Sequence, residues 1–108
     1  MPSTKTQPRA EGFLQASLAR LKSVPFERIA DWPDYPGQPD IDLQVPSELV
    51  KYKFTLMKDT LPNGDVRVGI QCYRYRFFGM GQMMADGFVV SPDGKMRPLS
   101  DEDVWELT

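Results

Sequence analysis

At 108 residues, 41% hydrophobic and 26% charged, the chain has the length and composition of one globular domain, able to bury roughly two-thirds of its unfolded surface without metal or disulfide support. Thirteen Lys and Arg against fifteen Asp and Glu leave a net charge of -2, which speaks against a protein devoted to nucleic acid. There is no histidine and Cys72 is the only cysteine, which excludes an intrachain disulfide, a Cys-based zinc site and any mechanism built on a His base or His ligand.

Residues 1–8 carry Ser, Thr, Lys, Gln and Pro with nothing to bury, and read as a flexible tail ahead of a single domain over 9–108. The polar start lacks the apolar run of a secretory signal, and no stretch reaches the roughly eighteen consecutive apolar residues of a membrane helix. A cytoplasmic chain with no membrane contact is expected.

From about Ala10, Phe13, Leu14, Leu18 and Leu21 recur at helical spacing, with Glu11 early and Arg20 and Lys22 late to suit the dipole. Ser23 offers an N-cap for a second short helix whose apolar stripe is Phe26, Ile29, Ala30 and Trp32, and Pro33 ends it. Pro33, Pro36, Pro39 and Pro46, with Gly37, Asp34, Asp40 and Asp42, then make a surface crossing. Its end alternates apolar and polar over 41–45, which predicts a short edge strand.

A strand is expected over 49–60, where Tyr52, Phe54 and Leu56 alternate with Lys53 and Thr55, and a second over 65–78. Pro62-Asn63-Gly64-Asp65 joins them. A three-residue loop with glycine at the left-handed position sets Phe54 opposite Cys72 and Leu56 opposite Ile70. Gly79-Met80-Gly81 supplies a further reversal; counted from Met80, it pairs Arg74 with Asp86, Cys72 with Phe88 and Ile70 with Val90 in a third strand over 82–91. Pro92-Asp93-Gly94-Lys95 repeats the first turn and leads into a fourth strand over 95–99, with Met96 across from Val90. Ser100-Asp101-Glu102-Asp103 reads as a capping box for a C-terminal helical turn bearing Val104, Trp105 and Leu107. The fold class is α+β: N-terminal helices packed on a four-stranded antiparallel meander, with a short C-terminal helical turn.

One sheet face collects Tyr52, Phe54, Leu56, Val66, Val68, Ile70, Cys72, Phe88, Val90 and Met96, which the helices must cover. The other is polar near the first turn, at Lys53, Thr55, Arg67 and Gln71. Farther along it carries Tyr73, Tyr75 and Phe77, joined by Met83, Ala85 and Val89. Three readings of that patch stand. The C-terminal turn or the proline-rich crossing folds over it; a β-bulge near Tyr73 returns the aromatics to the core; or it docks a partner, since aromatics beside Arg and Lys have the composition of binding hot spots.

Candidate chemistry is sparse. Cys72 sits mid-strand on the core face, a buried hydrophobe rather than a nucleophile. The aspartates of the crossing match no calcium loop, and Gly79-Met80-Gly81 has no phosphate signature. Tyr73-Arg74-Tyr75-Arg76-Phe77 interleaves aromatic and basic groups as single-strand binders do, but the acidic balance disfavours nucleic acid. The expected function is a non-enzymatic protein-interaction module or homodimer using Tyr73, Tyr75, Phe77, Met83, Arg74, Arg76 and Asp86. No catalytic residue, metal or cofactor is expected. The alternative is a small-ligand or enzymatic pocket between helix and sheet, drawing on Arg74, Arg76, Asp86 and Tyr52.

Overall fold

The computed structural model describes the backbone of residues 2–75 and 81–100, and the side chains of 9–74 and 84–100. Helix α1 runs Pro2–Leu21 and α2 Phe26–Ala30; a single 3-10 turn follows at Ser47–Leu49, then strands β1 Tyr52–Thr60, β2 Val66–Tyr75, β3 Gly81–Val90 and β4 Met96–Pro98. The four strands form one antiparallel sheet in sequence order. This is the expected α+β meander beneath N-terminal helices. The expected C-terminal helical turn and Trp105 lie outside the described residues.

Helix α1 begins at Pro2 rather than near Ala10. Ala10, Leu14, Leu18 and Leu21 fall on one side and are buried, forming a stripe laid on the sheet. Phe13 flanks the stripe and meets Phe54 edge to face, centroids 4.9 Å apart. Against the helix the sheet supplies Tyr52, Leu56, Val66, Val68, Ile70, Cys72, Phe88 and Val90, joined by Ile29, Leu43 and Leu49. Ser23 does not cap α2: its hydroxyl donates to the Arg20 carbonyl at 2.6 Å, and Pro25 occupies the N-cap. The expected edge strand over 41–45 is absent. Gln44 adopts φ 57 and donates its N–H to the Asp42 carboxylate at 2.8 Å, which turns the chain out of extension.

Both proline-led turns close as expected. Gly64 and Gly94 take φ 91 and 88, a region costly for a residue with a Cβ. Leu61 N–H donates to the Asp65 carbonyl and Ser91 N–H to the Lys95 carbonyl, each at 2.8 Å. In both turns the side chain before the glycine accepts a backbone N–H two residues on: Asn63 from Asp65 and Asp93 from Lys95, each at 3.0 Å. The first turn sets Phe54 opposite Cys72 and Leu56 opposite Ile70; the second sets Met96 opposite Val90.

The register of β2 on β3 differs from expectation by four residues. Ile70 pairs with Asp86, Cys72 with Met84 and Arg74 with Gln82, so Arg74 and Asp86 are not partners. The sums of paired numbers drop from 160 to 156, placing the pairing centre two residues before Met80. Centring on Met80 would leave Val66 and Val68 beyond the end of β3. The observed register pairs them with Val90 and Phe88, and all four are buried. A shift by an even number preserves which face each side chain occupies.

The outer face is not uniformly solvated. Val89 and Met57 are 1% and 5% exposed there, and Arg67, expected in solvent, is 7% exposed. Arg67 instead forms a 2.9 Å ion pair with Asp59, its directly opposed neighbour across β1 and β2. The ladder runs without interruption through Tyr73 to Tyr75, which removes the bulge reading.

Candidate functional site

Tyr73 lies on the outer face, half-buried, between Lys53 of β1 and Met83 of β3. The backbone of Tyr75 continues that face opposite Gly81. The side chains of Tyr75 and Met83, and Arg76 and Phe77 entirely, lie outside the described residues. Ala85 is half-buried on the same face, opposite Gln71.

Arg74 and Asp86, expected as an ion pair, have separate partners. The Arg74 guanidinium stacks over the Tyr52 ring, 5.4 Å from its centroid, with Nη1 3.4 Å from the phenol oxygen. The Asp86 carboxylate accepts a 2.7 Å bond from Gln15 Nε2 of α1 and a 2.8 Å bond from Gly87 N–H. Among the described residues, a cleft of about 110 Å³ between helix and sheet is lined by Glu11, Leu14, Gln15, Met84, Ala85 and Asp86. Arg74 and Tyr52 do not line it, and ligand pockets for small molecules usually run about 300–1,000 Å³.

The two margins of the sheet differ. On the β1 side, Tyr35 N–H donates to the Lys58 carbonyl at 2.8 Å, so the proline-rich crossing is fastened to that edge. On the β3 side, β4 pairs only with Phe88, Val89 and Val90. Of the ten residues of β3, the seven over 81–87 therefore have no strand on their outer side among the described residues. Met84, Ala85 and Asp86 in that stretch are half-buried. The β1 side carries Lys53 and Lys58, a common guard against edge pairing, while 81–87 contains neither Lys nor Pro.

A further cluster was not read from the sequence. Lys58 occupies a core-face position between Leu56 and Thr60 and is 3% exposed. Its Nζ lies 3.1 Å from Ala30 O, 2.9 Å from Trp32 O, 2.7 Å from Asp34 Oδ1 and 3.1 Å from Thr60 Oγ1. Four oxygens thus surround one ammonium, two of them carbonyls at the C-terminal end of α2, where a cation is favoured. Lys58 donating to Asp34 holds that carboxyl below its ordinary 3.8, and Thr60 reinforces the effect. The signal was a lysine at an even position of β1, where the alternation demanded an apolar residue.

Burial pushes the Cys72 thiol up to about 11, so it stays protonated at neutral pH. Among the described residues no group of three or more His, Cys, Asp or Glu converges as a metal site, and no described helix is long and apolar enough to cross a membrane. No family model matches the chain, and no match is found among curated proteins or solved structures.

Proposed function

We propose that the chain is a non-enzymatic protein-interaction module of the cytoplasm that docks its partner along the β3 margin of the sheet and the adjoining outer face. The observation that carries this reading is the backbone over 81–87, which has no strand on its outer side among the described residues, bordered on the outer face by Tyr73 and Ala85. An extended segment added to such an edge gains main-chain hydrogen bonds, with side chains on either face supplying specificity. Tyr73 and the neighbouring Tyr75, Phe77 and Met83 are the aromatic and thioether groups favoured at docking surfaces, and Arg74 and Arg76 supply positive charge. The small cleft and the engagement of Arg74 with Tyr52 favour this reading over a ligand pocket.

The test is a peptide-display selection run in parallel on the wild-type chain and on Ala85→Pro, which deletes one edge N–H. Extended peptides enriched on the wild type and lost on the variant support the reading. Selected peptides indifferent to Ala85→Pro and to Tyr73→Ser would overturn it.

A further inference from the structure

Independently of the interaction reading, we infer that a groove on the outer face of the sheet, floored by Gly69 and Gly87, is filled by the segment that follows β4, residues 101–108, with Trp105 over the glycines. The ladders align Met57 with Gly69 and Gly69 with Gly87 across β1, β2 and β3. On one side of this row stand Asp59, Arg67, Val89 and Arg97, and on the other Thr55, Gln71 and Ala85. The facing glycines leave bare backbone where the flanking rows raise side chains, so a groove with walls about 13 Å apart runs across the strands.

Burial on this face is concentrated at that groove. The second face of an antiparallel sheet packed on its other side is ordinarily wet, yet Met57 is 5% exposed, Val89 1% and Arg67 7%. Met57 and Val89 stand outside the main core cluster, to which the buried apolar residues of α1, α2 and the 3-10 turn, with Leu43 of the crossing, all belong. Those elements are committed to the other face. The crossing meets the β1 margin at Lys58 with Tyr35 54% exposed. Six residues of strand, about 20 Å, separate the groove from the reversal at 76–80, too far for five residues tied at both ends. Farther from the turns the burial falls off: Gln71, Tyr73 and Ala85 are half-buried and Lys53 is exposed.

Residues 101–108 have the position and the chemistry to supply the cover. β4 ends at Pro98, opposite Phe88, which sets Leu99 level with Gly87 at the mouth of the groove, and Leu99 is half-buried. Trp105 follows Ser100 by five residues, a reach of about 8 Å if helical and about 17 Å if extended. Gly69 lies two strand spacings from β4, about 10 Å, within that reach. The segment brings Val104, Trp105 and Leu107 to bury. It also carries Asp101, Glu102, Asp103 and Glu106 and no basic residue, a charge complementary to Arg67 and Arg97 along the groove wall. An aromatic ring laid over facing glycines restores the packing their missing side chains leave out.

Trp32→Phe leaves Trp105 as the one indole of the full chain and tests its placement. Trp105 emission is expected to be blue-shifted and shielded from acrylamide in the native chain, and to lose both features together with the circular dichroism on denaturation. A native Trp105 as quenchable as in denaturant overturns the inference. So does shielding that is lost on hundredfold dilution, which would place the segment on a second copy. Because Trp32 packs against the core, a double-mutant cycle that keeps it gives a second measurement. Met57→Ala and Trp105→Ala are expected to couple by about fivefold or more in the unfolding constant, whereas Leu14→Ala, in the helix-covered core, and Trp105→Ala should act independently. Independence of Met57→Ala and Trp105→Ala, or coupling of Trp105→Ala to Tyr73→Ala in its place, overturns the inference.

Discussion

Lys58 grips Asp34 at 2.7 Å through its ammonium, one residue before Tyr35, whose N–H bonds the Lys58 carbonyl. One strand residue therefore fastens the proline-rich crossing to the sheet by both its side chain and its backbone. Replacing Lys58 by Met keeps the aliphatic stem but leaves the carbonyls of Ala30 and Trp32 without this donor. The variant is expected to lose about 2 kcal/mol or more, in line with unsatisfied buried groups, read as a lower denaturant midpoint in chemical unfolding. Asp34→Asn, at an exposed carboxylate, should lose distinctly less.

The same pair makes stability acid-sensitive. The Asp34 carboxyl titrates below 3.8 in the folded chain, so the unfolded state binds its proton first. Its contribution is complete above the unfolded value and is lost as pH falls from there through the lower folded value. Unfolding curves collected across that window should converge for wild type and Asp34→Asn at the acid end and separate above it.

Gly87 faces Gly69 across β2 and β3. A Cβ on Gly87 would run into the Val68 carbonyl and lie 2.8 Å from the Gly69 Cα, backbone atoms that cannot rotate away. Gly87→Ala should destabilise by about 1–3 kcal/mol. Gly12, mid-helix with open space around its Cβ position, makes the contrast: Gly12→Ala should stabilise by about 1 kcal/mol. Thermal unfolding of the two variants gives shifts of opposite sign.

Ser17 is buried, and its hydroxyl has no hydrogen-bond partner among the described residues. Removing an unsatisfied buried group relieves its desolvation cost, so Ser17→Ala should raise the unfolding midpoint, by about 1 kcal/mol at most. A fall in the midpoint would mean that the hydroxyl is bonded.

The thiol of Cys72, 1% exposed and held up to about 11, should resist alkylation at neutral pH. Its labelling rate then follows the opening of β2 and should rise in step with denaturant. Fast labelling of the native chain would show the strand to be accessible.

What could be read from the residues depended on how tightly each segment constrained its own backbone. At Pro62-Asn63-Gly64 a two-residue turn would oppose Lys53 to Arg74 and Lys51 to Arg76, which leaves the three-residue loop that Pro92-Asp93-Gly94 repeats, and the register these loops set for β1 on β2 and β3 on β4 is the one observed. The reversal between β2 and β3 offers glycines at 79 and 81 and several possible centres, so its register was misplaced by four residues. The decisive quantity there was non-local, the burial of Val66 and Val68 against Val90 and Phe88. Face assignment survived because the slip was even. Arg74 and Asp86 were parted for the same reason, and Tyr73 kept its face. The lysine stood out in the alternation of β1, but its partners did not, because three of its four oxygens come from residues 30–34 and two of those are backbone carbonyls that any sequence could provide.

The two hairpin turns are near copies that differ in charge. Asn63 Nδ2 donates to the Asp65 carboxylate at 3.1 Å, whereas Asp93 stands 3.9 Å from the Lys95 ammonium. Asparagine followed by glycine is the sequence most prone to slow deamidation, through a succinimide that opens mainly to isoaspartate and in smaller part to aspartate at position 63. The backbone bond to Asp65 would persist, as Asp93 demonstrates in its own loop, but two carboxylates would now adjoin where the sister turn has a cation. The aspartate-bearing fraction of an aged preparation should therefore be more acidic while keeping the hairpin, with Asp65→Lys as the change that restores the missing complement.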